Sequence, residues 1–312
     1  MYKVIVIVGP TAVGKTKFSV ELAKKLNTEI ISADSCQVHK YMDIGTAKVT
    51  KNEMDGIKHH LLDIVNPDED CSVSQFQELA RKEIIRLNEE NKIPIVIGGS
   101  GLFINSIMYD LNFGTVKSDD KIRKYFYDYH KENGTDALHD LLRELDPISA
   151  DKIHKNNVKR VVRALEVCKL TGQKFSDFGT NIRTPSKEYD CFCIGLTTNR
   201  DLLYERINKR VDIMINDGLI KEVNTLLDMG YGPELTSMRA IGYKELVPFL
   251  DNDISLEEAI DTIKLNSRRF AKRQFTWFNA DKNIHWLDTT ESIKSGNIDL
   301  LIDKTLDLYY NI

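Results

Sequence analysis

The sequence predicts an α/β protein, in which a P-loop parallel-sheet core carries an inserted helical subdomain and a helical C-terminal region. Three observations lead there. Short, uninterrupted aliphatic runs alternate with helical patterns, and a G-x-x-x-x-G-K-[ST] segment follows the first run. A long, mostly helical stretch then separates the third run from the fourth.

The runs Val4–Val8, Glu29–Ser32 and Ile93–Ile97 are bounded by turn residues, and β-branched runs without polar alternation suit strands buried on both faces. Between the first two, Lys15–Leu26 spaces Phe18, Leu22, Ala23 and Leu26 at helical intervals. Between the second and third, Val73–Asn88 does so with Phe76, Leu79, Ala80 and Ile84. A fourth strand is expected at Phe192–Leu196. The interval before it holds roughly eighty residues, too many for a simple crossover. Helices are expected there over Asp120–Glu132, Ala137–Leu145, Ala150–Lys155 and Val158–Leu170. We assign residues 113–188 to the insert, entered near Phe113 and left near Tyr189, and residues 1–112 and 189–312 to the core. Further helices are expected at Arg200–Ile215, Leu219–Met229, Met238–Leu250 and Leu256–Phe278.

A chain of 312 residues, 42% apolar and 29% charged, can bury an ordinary core. Its longest apolar stretch, Val4–Val8, is far too short to span a membrane. Met1-Tyr2-Lys3 runs straight into that strand, so no secretory signal is expected. Cysteines at 36, 71, 168, 191 and 193, odd in number and without a Cys-x-x-Cys pair, argue against a disulfide framework and a zinc site. A cytoplasmic location is the expectation. The net charge of −4 disfavours nucleic-acid binding by the chain as a whole, so basic clusters have to be judged locally.

Gly9-Pro10-Thr11-Ala12-Val13-Gly14-Lys15-Thr16 lies between a strand and an amphipathic helix, where a phosphate loop belongs. Its glycines let successive amides converge on one anion, and the helix N-terminus adds its dipole. Lys15 supplies a mobile positive charge, and the Thr16 hydroxyl is a candidate Mg²⁺ ligand. The third strand ends in Gly98-Gly99-Ser100-Gly101 rather than in the acid that phosphoryl-transfer sites use to organise Mg²⁺. Asp63 could serve, from a weaker context. The second strand runs into Ala33-Asp34-Ser35, and residues just past the carboxyl ends of strands line the crevice of an open sheet. Asp34, Ser100 and the phosphate loop are therefore expected to face one another. A carboxylate and a hydroxyl beside a diphosphate suit activation of an acceptor; for Asp34, a helix cap or a metal-organising acid is the alternative.

Positive charge gathers in three places. Lys264, Arg268 and Lys272 share one helical face with Arg269 and Arg273 beside them, and Phe270, Phe275, Trp277 and Phe278 interleave, most of them expected in the core. The insert holds Lys159, Arg160, Val161, Val162 and Arg163, with Arg123 near its start. Arg239 to Lys244 surrounds Gly242, where close backbone approach is expected.

The ordered set formed by Gly9–Thr16, Ile31–Val38, Met42–Lys48, His59–Asp63 and Gly98–Leu102 resembles the tRNA dimethylallyltransferase (tRNA isopentenyltransferase) family. The resemblance continues through Arg163–Val167, Gly218-Leu219, Ala240–Tyr243 and Lys272–Trp277, and so covers nearly the whole chain. It implies transfer of a dimethylallyl group from dimethylallyl diphosphate to the exocyclic 6-amino group of the adenosine 3′ of a tRNA anticodon. It further implies Asp34 as the base, Ser100 as a hydrogen-bonding partner of the acceptor, and Arg210 beside Gly9–Thr16 as a counter-charge to the diphosphate. Mg²⁺ is implied with the diphosphate. The anticodon stem-loop would meet Asp34, Ser35, Cys36, Gln37, Ser100, Arg123, Lys159 (where the family usually has glutamine), Arg160, Val161, Val162, Arg163, Arg239, Gly242, Lys244, Arg268, Arg269, Lys272 and Arg273. No Cys or His pairs lie near Ile312, unlike the zinc finger of many eukaryotic members, so the resemblance is to the bacterial form; a monomer without membrane contact is expected. A P-loop small-molecule kinase, an adenylate isopentenyltransferase and a non-catalytic RNA-binding protein are the rival readings.

Overall fold

The computed structural model describes residues 1–111, 119–178 and 184–311. It divides into two compact units, Met1–Met108 with Ser186–Ile312, and Tyr109–Pro185. The expected start of the insert near Phe113 lies outside the described residues.

The first unit runs β1 (Tyr2–Val8), α1 (Lys15–Leu26), β2 (Ile30–Ala33), a one-turn α2 (Lys51–Met54), β3 (His59–His60), α3 (Val73–Glu89), β4 (Ile95–Gly98) and α4 (Gly101–Met108). The second unit holds α5 (Asp120–Leu145), α6 (Pro147–Lys152) and α7 (Val158–Thr171). The chain then adds β5 (Tyr189–Thr197), α8 (Arg200–Asn216), α9 (Leu219–Asp228), α10 (Val247–Leu250), α11 (Leu256–Asn279), β6 (Ile284–Asp288), α12 (Thr290–Ser295) and α13 (Asp299–Tyr310). The strands form one sheet in the order β3-β2-β4-β1-β5-β6, and every pairing is parallel.

All four strands expected from aliphatic runs are present, and most of their residues are buried because helices cover both faces. Ile5, Ile7, Ile95, Ile194 and Leu196 pack with Phe18 and Leu22 of α1, Leu203 and Ile207 of α8, and Leu301 and Ile302 of α13. Each such side chain, fully withdrawn from water, contributes about 1.5–3 kcal/mol. A second cluster gathers Leu219, Val223 and Leu226 of α9 around Tyr243, Met42 and Ile263. The helical unit has its own core of Phe126, Leu138, Leu142, Val161, Val162 and Leu165. Among the described residues, no helix is long and apolar enough to cross a membrane.

Two expectations are corrected. The helix expected over Met238–Leu250 is a 3₁₀ turn at Ser237–Arg239, a bend, and α10. Gly242 breaks it with φ +101°, and its N–H is taken by the Glu245 carboxylate at 2.8 Å. The two helices expected over Asp120–Glu132 and Ala137–Leu145 are borne out: α5 is two helices meeting at Gly134, whose φ/ψ of 84°/177° is not helical. The next helix begins at Pro147 rather than Ala150, because the Asp146 side chain caps it by accepting from Ser149 N–H at 3.1 Å and proline suits a first turn.

Candidate active site

The parallel sheet brings three loops to one edge. The phosphate loop follows β1, the Asp34 loop follows β2, and Gly99–Ser100 follows β4, the strand that separates β1 from β2. The phosphate loop owes its curl to left-handed backbone at Gly14 (φ +101°) and Ala12 (φ +65°) and to Gly9. At Gly9, φ is +142° and a Cβ would lie 2.5 Å from the Leu196 carbonyl oxygen, so only glycine fits.

Lys15 Nζ donates to the Gly9 and Pro10 carbonyl oxygens at 2.9 and 2.8 Å. Burial pushes its ammonium down to about 8; the Asp34 charge opposes that fall and the Arg210 charge adds to it. Arg210 on α8 donates to Thr11 Oγ1 at 3.2 Å and reaches the Ala47 carbonyl at 3.5 Å. Burial lowers its pKa too, against the pull of Glu53 and Asp34. Asp34 thus lies within electrostatic reach of both cations. Thr16 is exposed on the first turn of α1, whose N-terminus points its amides at the same region.

Asp34 Oδ1 accepts the Cys36 N–H at 2.9 Å, which fixes the carboxylate in a local turn. Ser100 Oγ accepts Ser35 N–H at 2.9 Å and donates to Ser35 Oγ at 3.0 Å, tying the loops after β4 and β2 together. Burial, with Asp34 nearby, pushes the Cys36 thiol up to about 12, so it remains protonated. Gln37 turns inward: its Nε2 donates to the Thr46 and Ala47 carbonyls at 3.3 and 3.2 Å. Asp63, considered above as a metal-organising acid, is joined instead to the buried Lys48 ammonium at 2.6 Å, which also holds Asp43 at 2.6 Å.

The basic residues separate into engaged and exposed groups. On α11, Lys264 pairs with Asp212 at 2.6 Å and Arg268 donates to Asn208 at 2.6 Å, whereas Arg269, Lys272 and Arg273 are exposed. Phe270, Phe275 and Trp277 are 37–41% exposed and only Phe278 is buried, a correction to the expectation that most of these aromatics are core. Arg239 and Lys244 are exposed. Gly242 is buried, with the Leu219 side chain and the Gly45 backbone beside it. In the helical unit, Lys159 and Arg160 are exposed, but Val161 and Val162 are 0% and 1% exposed in its core. Their side chains are withdrawn from any RNA. Arg123 and Arg163 both bond to the buried Glu166 carboxylate, at 3.1 and 2.6 Å.

Three residues with evident work at this site were not anticipated. Arg206, one turn before Arg210, donates to the Ala12 carbonyl at 2.8 Å. Gln274 reaches both the phosphate loop and Gly99. Glu222 accepts the N–H groups of Asp43, Ile44 and Gly45 at 3.0, 2.8 and 3.1 Å and the Tyr243 hydroxyl at 2.7 Å. A sequence signal exists for Gln274: it falls on the inward stripe of α11 with Ala271 and Phe278, where a polar residue must find partners.

The sequence profile of the IPP transferase family matches residues 37–281. A tRNA dimethylallyltransferase of Alkaliphilus oremlandii is 48% identical over 309 residues, spanning 99% of this chain and 98% of its own. The crystal structure of the full-length tRNA isopentenylpyrophosphate transferase from Bacillus halodurans superposes with a TM-score of 0.70 at 45% identity, covering 99% of this chain and 100% of that one. A eukaryotic dimethylallyltransferase captured acting on tRNA superposes with a TM-score of 0.78 at 30% identity, over 93% of this chain and 74% of that one.

Proposed function

The chain belongs to the IPP transferase family, and on that premise we propose that it is a tRNA prenyltransferase that moves a dimethylallyl group from dimethylallyl diphosphate to the 6-amino nitrogen of the adenosine 3′ of the anticodon. One observation carries the assignment of roles. The loops that carry Lys15 and Asp34 leave the same edge of the sheet on either side of β4, and the Asp34 charge acts on the Lys15 ammonium.

The allylic carbon–oxygen bond breaks as negative charge collects on the departing diphosphate, and groups aimed where that charge develops lower the barrier. The loop amides, Lys15 and Arg210 are those groups. Thr16, exposed on the first turn of α1, would hold Mg²⁺ through its hydroxyl oxygen. Mg²⁺ bound there would supply further positive charge to the diphosphate. The adenine amine is a poor nucleophile because its lone pair is delocalised into the ring. As the carbon–nitrogen bond forms, its proton passes to the Asp34 carboxylate. Ser100 and Ser35, bonded to each other, flank the acceptor. Extruding the adenosine from the stacked loop opens the reaction path, and positive charge along the backbone offsets the cost. Arg269, Lys272 and Arg273 supply that charge on α11, and Lys159 and Arg160 on the helical unit.

The test is to incubate the protein with labelled dimethylallyl diphosphate and bulk tRNA, digest the RNA and identify the labelled nucleoside. Isopentenyladenosine adjacent to the anticodon is expected. Label on free adenosine monophosphate, with tRNA unlabelled, would replace this proposal with an adenylate isopentenyltransferase.

A further inference from the structure

We propose that Gln274 is a positioning residue that couples the RNA-facing helix α11 to the diphosphate loop, so that RNA docking and the grip on the leaving group reinforce each other. The inference rests on the function proposed above.

Gln274 is 6% exposed and uses both ends of its carboxamide. Oε1 accepts the Thr11 N–H at 2.8 Å and Nε2 donates to the Gly99 carbonyl at 3.1 Å. The orientation is locked, because a flipped amide would set nitrogen against an N–H and oxygen against a carbonyl. The contact also demands glycine at 99: a Cβ there would lie 2.2 Å from the amide nitrogen. One side chain therefore spans from α11 to the loop after β1 and to the loop after β4.

Its neighbours determine what that span transmits. Lys272, Arg273, Phe275 and Trp277 are exposed on the same stretch of helix, while Gln274 points inward with Ala271 and Phe278. Successive side chains project about 100° apart around a helix, so a phosphate held by Lys272 or Arg273 loads the turn that carries Gln274. On the far side, Gly99 precedes Ser100, which holds Ser35 beside the proposed base. Thr11 in turn accepts Arg210 at its hydroxyl. A small shift of α11 thus moves a loop amide, the arginine's partner and the acceptor loop together. By linkage, if RNA tightens the diphosphate site, diphosphate must tighten RNA by the same factor.

The test measures binding of inorganic diphosphate with Mg²⁺ by titration calorimetry, with and without saturating tRNA, and single-turnover prenyl transfer. Wild-type protein is expected to bind diphosphate about fivefold tighter or more when tRNA is present. Gln274→Leu is expected to bind each ligand alone within about threefold of wild type, to lose that enhancement, and to transfer the prenyl group about tenfold or more slowly. Gln274→Glu supplies the second readout, with thermal melts confirming that both variants fold. A protonated carboxyl can still accept from Thr11 and donate to Gly99, whereas a carboxylate cannot donate. Enhancement is therefore expected to return in Gln274→Glu as the pH falls. An enhancement factor of one in wild type, or one retained in Gln274→Leu, overturns the coupling; so does a Gln274→Glu response that ignores pH. If wild type fails to prenylate tRNA at all, the proposed function has failed instead.

Discussion

Glu222 offers the sharpest stability test, because one carboxylate serves four donors. Oε2 accepts the Asp43 and Ile44 amides, and Oε1 accepts the Gly45 amide and the Tyr243 hydroxyl. Hydrogen bonds to a charged group contribute about 1.5–3 kcal/mol each, so four taken independently would approach about 6–12 kcal/mol. That sum overshoots, since losses within one network are not additive. The Asp43 amide is also exposed and can turn to water. The other three donors, left without an acceptor at about 1–3 kcal/mol each, sum to about 3–9 kcal/mol, and because losses within one network are not additive the expected cost for Glu222→Ala lies at the lower end, about 3–5 kcal/mol. Glu222→Gln keeps an oxygen for Asp43 and Ile44 and lets the Tyr243 hydroxyl rotate to accept, leaving one clash between its amino group and the Gly45 N–H. That variant should cost about 1–3 kcal/mol. Thermal unfolding reads the difference directly: at about 2–4 °C per kcal/mol, the alanine variant should melt on the order of 10 °C lower. An alanine variant melting within 2 °C of wild type (about 1 kcal/mol or less), or a glutamine variant less stable than it, would refute the reasoning.

Asp34→Asn keeps an acceptor for the Cys36 amide but removes the base, so transfer should fall about 10²–10⁴-fold while diphosphate is still bound; wild-type single-turnover rates in that variant would end the assignment. Lys15, pushed down to about 8 from an ordinary 10.5, loses its proton in the free protein before it would in the unfolded chain. Diphosphate affinity should therefore decline as pH climbs through about 8, while stability rises between 8 and 10.5 because the unfolded state holds more protons there. Calorimetry across that range should show a bend in wild type and none in Lys15→Arg; a flat wild-type profile contradicts the burial argument. Replacing Arg269, Lys272 or Arg273 by glutamine should weaken tRNA binding without regard to sequence and reduce the salt-dependence slope by about 0.7–0.9 per lost phosphate contact. An unchanged slope would place the RNA elsewhere.

Much of the sheet could be read in advance because its buried strands have to be aliphatic, as Val4–Val8 and Ile95–Ile97 are. The edges gave no such signal. β3 is only the pair His59–His60, and in β6 the run Ile284-His285-Trp286-Leu287-Asp288 is buried at just two positions. The apolar spacing of Met238–Leu250 is real, but it serves Tyr243 and Leu246 in a bend, and the glycine between them decides the backbone. At the site, the phosphate loop announces itself through spacing, and Asp34 and Ser100 through their place after strands. Glu222, Arg206 and Gln274 are single polar residues on helices, and their partners lie far off in sequence. Only the topology tells which carbonyls and amides they meet. For Val161 and Val162, the positive charge of their neighbours hid an ordinary helical periodicity that turns both inward.

The helical unit closes at its own base. Tyr109 bridges Pro185, and the Asp110 N–H meets the Thr184 carbonyl at 2.8 Å. Because departure and return coincide, the sheet registers the whole excursion as one brief hairpin-like detour between α4 and β5. Length, charge and helix number beyond that clasp can drift without shifting a single strand.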